Sequence, residues 1–437
     1  MTYTALSPDA QALALLCSYL ALPSRRSADD PKPLTPREWN DLAKKIWASS
    51  LKQPSALLRL GEAELRSDLN LEQIESNRIA QLLSRGTQLA IEIERLSSLG
   101  IWILTRADEA YPRRLKERLG WSAPPVLFGA GDTSLLERGI VAVSGSRDID
   151  ESGAAFAQLL GKRCGREHLT VVSGFARGAD TTCTLAALSV GGTAIGVLAD
   201  SLEKTLRSKE IRSYVANHQL VLLTAQHPRV GFSVGAAFGR NKYVYSLALY
   251  GLVVSASADK GGTRAGAVEV LEAGWIPLFV RAGTEVPQGN QLLAGEGALP
   301  FDDEVLQREE DLLHWLTRHS EGWKSANIAS RNQKVSQKAT KARATNGGAR
   351  AKRQATNGER VQDLFPIVWP HLRDVLSRTH TVPDIAHALC LHEEQLEDWL
   401  AKATSAGYAQ YDTDRHEYWL VDAVPDSEAL AQLQLIP

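Results

Sequence analysis

Two short loops combine glycine, serine and arginine in a pattern that favours phosphate binding. Both loops follow an apolar run and precede a helical pattern. The free N–H groups at a helix N-terminus and the helix dipole favour an anion there, and arginine adds positive charge. We therefore predict a phosphate site, and its candidate ligands in these loops are Gly145, Ser146, Arg147, Ser173, Gly174, Arg177 and Gly178.

Another interpretation of these loops stays open. The glycines would make only tight turns between strand and helix, and the arginines would point into solvent. Neither loop reads GxGxxG with an acidic residue about 20 positions on, and neither reads GxxxxGK[ST]. The pattern therefore favours neither a standard dinucleotide site nor a P-loop.

The elements around the loops predict a parallel sheet. The apolar runs at 140–144 and 169–173 flank a helical pattern at 153–164, which indicates two parallel strands joined by a crossover helix. Parallel strands end at the same edge of a sheet, so the two loops should lie side by side. The full set of predicted strands is 139–144, 169–173, 193–198, 219–224, 251–256 and 276–280.

These strands alternate with helical patterns, which predicts an α/β fold with helices on both faces of a mostly parallel sheet. By the switch-point rule, its ligand binds at the carboxyl edge of the strands. The loops expected to converge there are 145–147, 173–180, 200–207 and 257–264.

Five motifs carry a resemblance to a known family. They are VAVSGSR at 141–147, VVSGFARGAD at 171–180, TAIGVLADSLEK at 193–204, FGRNKYVYSLA at 238–248 and VEVLEAGWIPLFV at 268–280. Their order and spacing resemble the DNA-processing protein A family (DprA, or Smf), and the similarity covers about 99–300. The resemblance implies a Rossmann-like domain that binds single-stranded DNA, protects it, helps to load a RecA-type recombinase and self-associates as a homodimer.

The resemblance also implies roles for single residues. Arg147 would contact a phosphate beside the amides of Gly145 and Ser146, and Ser173 with Gly174 would form a second cradle helped by Arg177. Arg240 and Asn241 would close the site from the next helix start, with Arg229 or Lys242 adding charge. Phe175 and Phe238 are candidates for base stacking, although each could equally be a core residue.

Two stretches depart from the family pattern. The loop at 259–264 reads DKGGTR, so Gly261, Gly262 and Thr263 are carried over as ligands without an exact motif. At 201–208 the chain reads SLEKTLRS where the family has a Tyr-Pro pair, and Lys204 and Arg207 are the candidates to replace those phosphate contacts. A nucleotide-binding sensor or nucleotide hydrolase, in a phage-defence setting for instance, therefore stays an alternative.

The sequence contains no evident set of catalytic residues. Ser144, Ser146 and Ser173 lie outside any GxSxG elbow, and Asp148 and Asp150 are more typical of helix N-caps. The four cysteines are scattered without metal-ligand spacing, so we predict neither zinc nor disulfides. We predict a binding protein without catalytic residues, metal or cofactor.

Composition is typical of a soluble globular protein, with 44% hydrophobic and 23% charged residues among 437. The N-terminus lacks the basic start of a signal peptide and no apolar run reaches about 18 residues, so we predict a cytoplasmic protein without a membrane partner. The predicted organisation is a helical N-terminal domain (1–100), a connector (101–135), a Rossmann-like DprA/Smf domain (136–315), a basic flexible linker (316–358), a winged-helix-like domain (359–425) and a tail (426–437).

The ends of the chain carry weaker signals. Nine lysines and arginines and no acidic residue lie between Glu321 and Glu359, which is typical of a solvated spacer or of an arm that adds non-specific DNA affinity. The third helix of the winged-helix prediction, 392–405, is acidic, which favours a protein contact over base recognition. For the N-terminal helices we favour packing or partner binding over DNA-backbone binding.

Overall fold

The computed structural model describes residues 6–22, 30–258, 261–283, 286–308 and 310–323, with scattered residues between 372 and 420. The chain divides into two compact units. The first comprises 1–232 with 236–340, and the second comprises 341–437 with 233–235.

The N-terminal part of the first unit is helical, as predicted. Its helices are α1 (Pro8–Cys17), α2 (Pro36–Ala48), α3 (Glu62–Leu69), α4 (Gln73–Leu83) and α5 (Gly86–Ser98). A capping box begins α2: Thr35 accepts from the amide of Glu38, whose carboxylate accepts from the amide of Thr35 at 2.7 Å. Trp39, Leu42 and Ile46 then bury one face of α2.

The amphipathic spacing over 72–98 predicts one long helix, but the chain forms two, α4 and α5. The chain breaks between α4 and α5 at Ser84 and Arg85. The Arg85 side chain donates to the carbonyl oxygens of Leu82 and Leu15, the latter at 2.8 Å. The apolar spacing continues across the break, so only the contact with α1 reveals it.

A nine-stranded sheet forms the centre of the first unit. Its order is β1-β2-β6-β5-β4-β3-β7-β8-β9. Strands β3 to β9 are parallel to one another, and β2 is antiparallel to both β1 and β6. The strands are β1 (Trp102–Thr105), β2 (Val126–Ala130), β3 (Gly139–Gly145), β4 (Thr170–Ser173), β5 (Ala194–Val197), β6 (Leu220–Thr224), β7 (Tyr250–Ser255), β8 (Leu278–Ala282) and β9 (Leu299–Asp302).

The six predicted strands correspond to β3 through β8, and the mostly parallel α/β fold is confirmed. The count of six is too low because β1, β2 and β9 also join the sheet. Two of these lie in 101–135, so the expected connector is part of the sheet. The three added strands lie at the sides of the sheet, β1 and β2 at one side and β9 at the other.

Helices cover both faces of the sheet. They are α6 (Arg113–Leu119), α7 (Glu151–Arg166), α8 (Ala179–Ser189), α9 (Leu202–Thr205), α10 (Lys209–Ala216), α11 (Val234–Ser246), α12 (Gly262–Ala273), α13 (Gln288–Gly295) and α14 (Leu312–His319). Side chains of β3 point alternately to two cores: Val141 and Val143 pack with Phe156 of α7, and Ala142 packs in the cluster of Tyr245. Burial on both faces explains the continuous apolar runs of these strands.

In the second unit, the described residues contain a two-stranded antiparallel sheet of β10 (Ala409–Asp412) and β11 (Glu417–Leu420). The winged-helix domain predicted at 359–425 would contain such a hairpin, and this one adjoins a cluster that includes Leu372, Leu400 and Tyr408. Most of the three predicted winged-helix helices, the acidic residues of 392–405, the basic segment from 324 to 358 and the tail lie outside the described residues.

Candidate nucleic-acid interface

The two glycine-rich loops lie together at the carboxyl edge of the sheet. They follow β3 and β4, which pair in parallel, and the amide of Ala179 donates to the carbonyl oxygen of Ser146 at 3.3 Å. Gly178 has φ 94°, a conformation that suits glycine. The adjacency expected from parallel strands is therefore present.

Some backbone amides of both loops have partners within the chain. The amides of Gly145, Gly174 and Ala176 lower the pKa of the Asp180 carboxyl, against the effect of its burial. The amide of Ser146 donates to the carbonyl oxygen of Ser255 at 2.9 Å. The predicted phosphate cradle therefore stays a prediction for the amides of Gly145 and Gly174, whereas the amide of Ser146 is engaged by the neighbouring strand.

Ser173 is also engaged. It is fully buried, its hydroxyl lies 2.8 Å from that of Thr184, and it accepts from the amide of Phe175 at 3.1 Å. Its predicted contact with a phosphate does not fit this position, because no face of the side chain reaches solvent.

Arg240 lies under the second loop rather than across an open site. It is 9% exposed, and its Nη1 lies 3.7 Å from Oδ2 of Asp180. A Cβ at Gly174 would come within 1.3 Å of that nitrogen, so only glycine admits the guanidinium here. The expectation that Arg240 and Asn241 close the site from a helix start is wrong, because α11 begins at Val234 and both residues lie in its middle.

Burial shifts the pKa values of both partners of this ion pair. It raises the pKa of the Asp180 carboxyl, whereas Arg240 and the amides of Gly145, Gly174 and Ala176 lower that pKa. It lowers the pKa of the Arg240 guanidinium, and Asp180 opposes that shift. The Nε of Arg240 is buried without a hydrogen-bond partner.

A third loop joins the same edge at the start of α12. Gly261 is the N-cap of α12, the hydroxyl of Thr263 donates to the carbonyl oxygen of Gly145 at 3.0 Å, and the amide group of Asn241 donates to the carbonyl oxygen of Gly262 at 2.8 Å. The structure thus brings Asn241, Gly261, Gly262 and Thr263 to the first loop, where they hold the loops to one another.

The exposed positive charge lies beside these loops, in what we call the basic groove. Its volume is about 580 Å³, and it is lined by Asp200, Ser201, Glu203, Lys204, Arg207, Arg229, Gly231 and Phe232. Arg147 adjoins it, because its guanidinium carbon lies 4.3 Å from the centre of the Phe232 ring. The structure therefore brings Arg147, Lys204 and Arg229 to one surface, together with Arg207.

Phe232 was missed in the sequence, although it is 43% exposed. The available signal was an aromatic residue in the loop HPRVGF, which follows β6 at the same edge. Of the two predicted stacking candidates, Phe238 is 44% exposed, whereas Phe175 packs against the core. Phe238 therefore remains a candidate, and Phe175 is a core residue.

Two predicted cations have other surroundings. Arg177 forms an exposed ion pair with Asp148 across the two loops, while Asp150, as expected, caps α7 by accepting from Gly153 at 2.6 Å. The Nζ of Lys242 lies 5.5 Å from the centre of the Tyr243 ring. Burial raises the pKa of Glu269, and the charge of Lys242 opposes this shift. Lys242 is not among the residues that line the basic groove.

An ion-pair network joins the basic groove to α5. Glu203 accepts from Arg95 at 2.7 Å and lies 3.4 Å from Nε of Arg229. Arg95 also binds both carboxylate oxygens of Glu92, and Nε2 of His227 lies 3.7 Å from Glu92. Helix α5 thus helps to place Arg229.

Within the described residues, no three or more His, Cys, Asp or Glu side chains are placed to hold a metal ion. None of the described helices combines the length and apolar character needed to cross a membrane. Among the cysteines, Cys164 and Cys183 are buried and Cys17 is half-buried, all as free thiols.

Fold and interface together define a class: a mostly parallel α/β sheet with a basic groove at the carboxyl edge of its strands. Residues 102–307 match the family model of DNA recombination-mediator protein A. This match shows that the central region of the chain is similar to the DprA/Smf family, and the resemblance read from the motifs is confirmed.

Two curated relatives agree with this assignment. The DNA processing protein DprA of Streptococcus pneumoniae is 35% identical over 136 residues, which are 31% of this chain and 45% of that protein. Protein Smf of Escherichia coli is 28% identical over 215 residues, 48% of this chain and 57% of that protein. The chain therefore spans about half the length of each of these relatives.

Solved structures of the family are also similar. The crystal structure of DprA from Streptococcus pneumoniae matches with 24% identity and a TM-score of 0.45, covering 63% of this chain and 99% of that one. A DprA structure from Helicobacter pylori, described by its single-stranded DNA binding mode, matches with 22% identity and a TM-score of 0.40, covering 50% and 96%.

Proposed function

We propose that this protein binds single-stranded DNA and acts in DNA processing, as the names of its curated relatives suggest. The observation that carries the proposal is the basic groove, where exposed Lys204, Arg207 and Arg229 adjoin Arg147 and an exposed Phe232. Cations that follow a backbone, combined with an aromatic ring for the bases, are typical of single-strand binding without sequence preference.

The affinity comes from side chains. Arg147, Lys204, Arg207 and Arg229 neutralise phosphate groups and release counterions, while Phe232 and Phe238 offer rings to the bases. The predicted glycines and Asn241 support the loops that carry Arg147. No group in this arrangement has to change its covalent bonds, so the function needs neither a catalytic residue nor a cofactor.

Titration with a labelled dT oligonucleotide at several salt concentrations tests the proposal. Because each neutralised phosphate contributes a slope of roughly −0.7 in log affinity against log salt, four cations predict a slope of about −3. Arg147→Ala should weaken binding and make the slope less negative by about one phosphate.

Arg166→Ala is the matched control. Arg166 is an exposed arginine in the last turn of α7, at the opposite edge of the sheet. It should bind like the wild type. Equal losses for Arg147→Ala and Arg166→Ala, or a slope near zero for the wild type, would contradict the proposal.

The alternative, a nucleotide-binding sensor or hydrolase, is distinguished by the same experiment. A mononucleotide would bind with a shallow salt dependence and would compete with the oligonucleotide at similar concentrations. The exposed cations of the basic groove favour the polynucleotide over this alternative, because they are spread over one surface rather than gathered around a single phosphate. Recombinase loading, homodimer formation and a cytoplasmic location stay predictions from the resemblance and the sequence.

A further inference from the structure

A second cavity adjoins the basic groove on the side of the N-terminal helices. Its volume is about 780 Å³, within the range of about 300–1,000 Å³ that is typical of small-molecule sites. We call it the lateral pocket, and its walls include Arg85, Gln88, Ile91, His227, Arg229 and Val230. Arg229 also lines the basic groove. A molecule bound along the groove therefore reaches the lateral pocket across a single side chain.

The turn after β6 forms the rim between the lateral pocket and the basic groove. Nδ1 of His227 accepts from the amide of Arg229 at 3.2 Å, and the carbonyl oxygen of His227 accepts from the amide of Val230 at 2.9 Å. The hydroxyl of Ser201 donates to the carbonyl oxygen of Pro228 at 2.9 Å, which holds the turn to the loop after β5. The rim is therefore fixed by hydrogen bonds and needs no rearrangement to receive a ligand.

The charges in the walls of the lateral pocket cancel. Two cations, Arg85 and Arg229, face two carboxylates, Asp30 and Glu92. His227 adds little charge near neutral pH, because burial lowers its pKa below the usual 6.5. The basic groove, in contrast, has an excess of cations. A phosphate gains little attraction from walls without net charge, so an uncharged group suits the lateral pocket better.

The other walls combine apolar side chains with carboxamides. Ile91 is 64% exposed and Val230 is 39% exposed, so both offer apolar surface to a ligand. Gln81 and Gln88 are exposed in the same walls. A carboxamide donates and accepts hydrogen bonds, as the edge of a nucleobase requires. The lateral pocket thus presents apolar surface to the face of a flat ring and polar groups to its edge.

We propose that the lateral pocket is a base-binding site, which receives a nucleobase of the single strand whose phosphates follow the basic groove. Arg229 at the rim neutralises a phosphate, and a base beside that phosphate lies against Ile91 and Val230. The strand then runs from Arg147 across Arg229 towards α5, and the N-terminal helices contribute to base binding. This path of the strand rests on the proposed function, whereas the ability of the lateral pocket to hold a base does not.

A pair of oligonucleotides tests the inference: dT, and an abasic strand of the same length that carries the same phosphates without bases. Gln88→Ala combined with Ile91→Ala changes two exposed side chains of the lateral pocket and no charge. We expect this double variant to weaken dT binding by on the order of 10-fold. Its affinity for the abasic strand and its slope against salt should equal those of the wild type, because every cation is kept.

Gln73→Ala combined with Ile74→Ala is the matched control. Both residues are exposed at the start of α4, Ile74 at 84%, and neither is among the residues that line the lateral pocket. This control should bind both oligonucleotides like the wild type. The inference is overturned if the two double variants lose dT affinity equally, or if the pocket variant loses affinity for dT and for the abasic strand by the same factor.

Arg229→Ala provides the opposite pattern. It removes a cation from the rim, so binding of dT and of the abasic strand should both weaken, and the slope against salt should become less negative by about one phosphate. A loss confined to dT would place a base instead of a phosphate at Arg229 and would overturn the arrangement proposed for the rim.

Free thymidine, which carries a base and no phosphate, separates this inference from the proposed function. Saturation-transfer NMR should detect thymidine on the wild type and a weaker signal on the variant that combines Gln88→Ala with Ile91→Ala. If the wild type shows this thymidine contact but does not bind dT, the base-binding pocket stands, and the proposed function and the path of the strand fail. If the wild type binds dT, and the pocket variant binds dT and thymidine equally well, only the base-binding inference fails.

Discussion

At the scale of residues, burial separates arginines that sequence motifs treat alike. Arg147 is exposed and lies over the ring of Phe232, whereas Arg240 is buried against Asp180. An exposed guanidinium can release counterions when it meets a phosphate. The buried guanidinium of Arg240 stabilises the loops that position Arg147.

Phe232 provides a test at this scale. A base stacked on an aromatic side chain contributes about 1–3 kcal/mol, so Phe232→Ala should weaken dT binding by roughly 5- to 150-fold at constant salt. The slope against salt should stay nearly unchanged, because no charge is removed. Fluorescence anisotropy measures both quantities.

Two control variants test whether that loss comes from stacking. Phe232→Trp keeps a stacking surface and should bind close to the wild type. Trp121→Ala removes another exposed aromatic side chain, one that lies beside Lys44 of α2, and should leave binding unchanged. A loss of affinity in Trp121→Ala as large as in Phe232→Ala would argue against stacking at the basic groove.

At the scale of elements, α5 and the end of β6 meet through an ionic network. His227 follows β6, is mostly buried, and accepts from the amide of Arg229 at 3.2 Å through Nδ1. Glu92, Glu203, Arg95 and Arg229 face it. Burial lowers the pKa of His227 below its usual 6.5, although Glu92 and Glu203 act in the opposite direction.

This shift predicts a dependence of stability on pH. Because the folded pKa lies below the unfolded value, the unfolded chain binds more protons as the pH falls below about 6.5, and folding stability declines there. His227→Gln should reduce this decline between pH 7 and pH 5, as measured by urea unfolding. His314→Gln, which changes an exposed histidine of α14, should leave the decline unchanged; identical pH profiles for wild type and His227→Gln would refute the assignment.

At the scale of the whole molecule, the positive charges are concentrated in two regions, although the net charge is small. The net charge is −2, yet cations collect in the basic groove and along 324–353. We expect both to contribute to DNA affinity, and the groove to contribute more, because its cations stand on a rigid sheet edge and share one surface with aromatic rings.

Neutralisation of the basic segment tests this balance in the full chain. The residues to be changed to Gln are Lys324, Arg331, Lys334, Lys338, Lys341, Arg343, Arg350, Lys352 and Arg353. Binding of dT should weaken at low salt and converge on the wild type near 0.3 M salt, since non-specific contacts depend most on counterion release. Complete loss of binding at every salt concentration would place the site in the segment instead of the groove.

Sequence alone determined the central architecture. The six apolar runs became β3 to β8 because strands buried on both faces must be apolar along their whole length, and the two glycine-rich loops met because parallel strands end at one edge. The break at Arg85 depends on a carbonyl in α1, 70 positions away.

Only the tertiary structure decided what the site residues do. The sequence places Gly174 and Asp180 near one edge, but it does not reveal that the Arg240 guanidinium is buried against both. Nor does it distinguish the buried Arg240 from the exposed Arg147, or bring Phe232 to Arg147. These outcomes depend on the packing of side chains between loops far apart in the chain, and local residue types do not encode that packing.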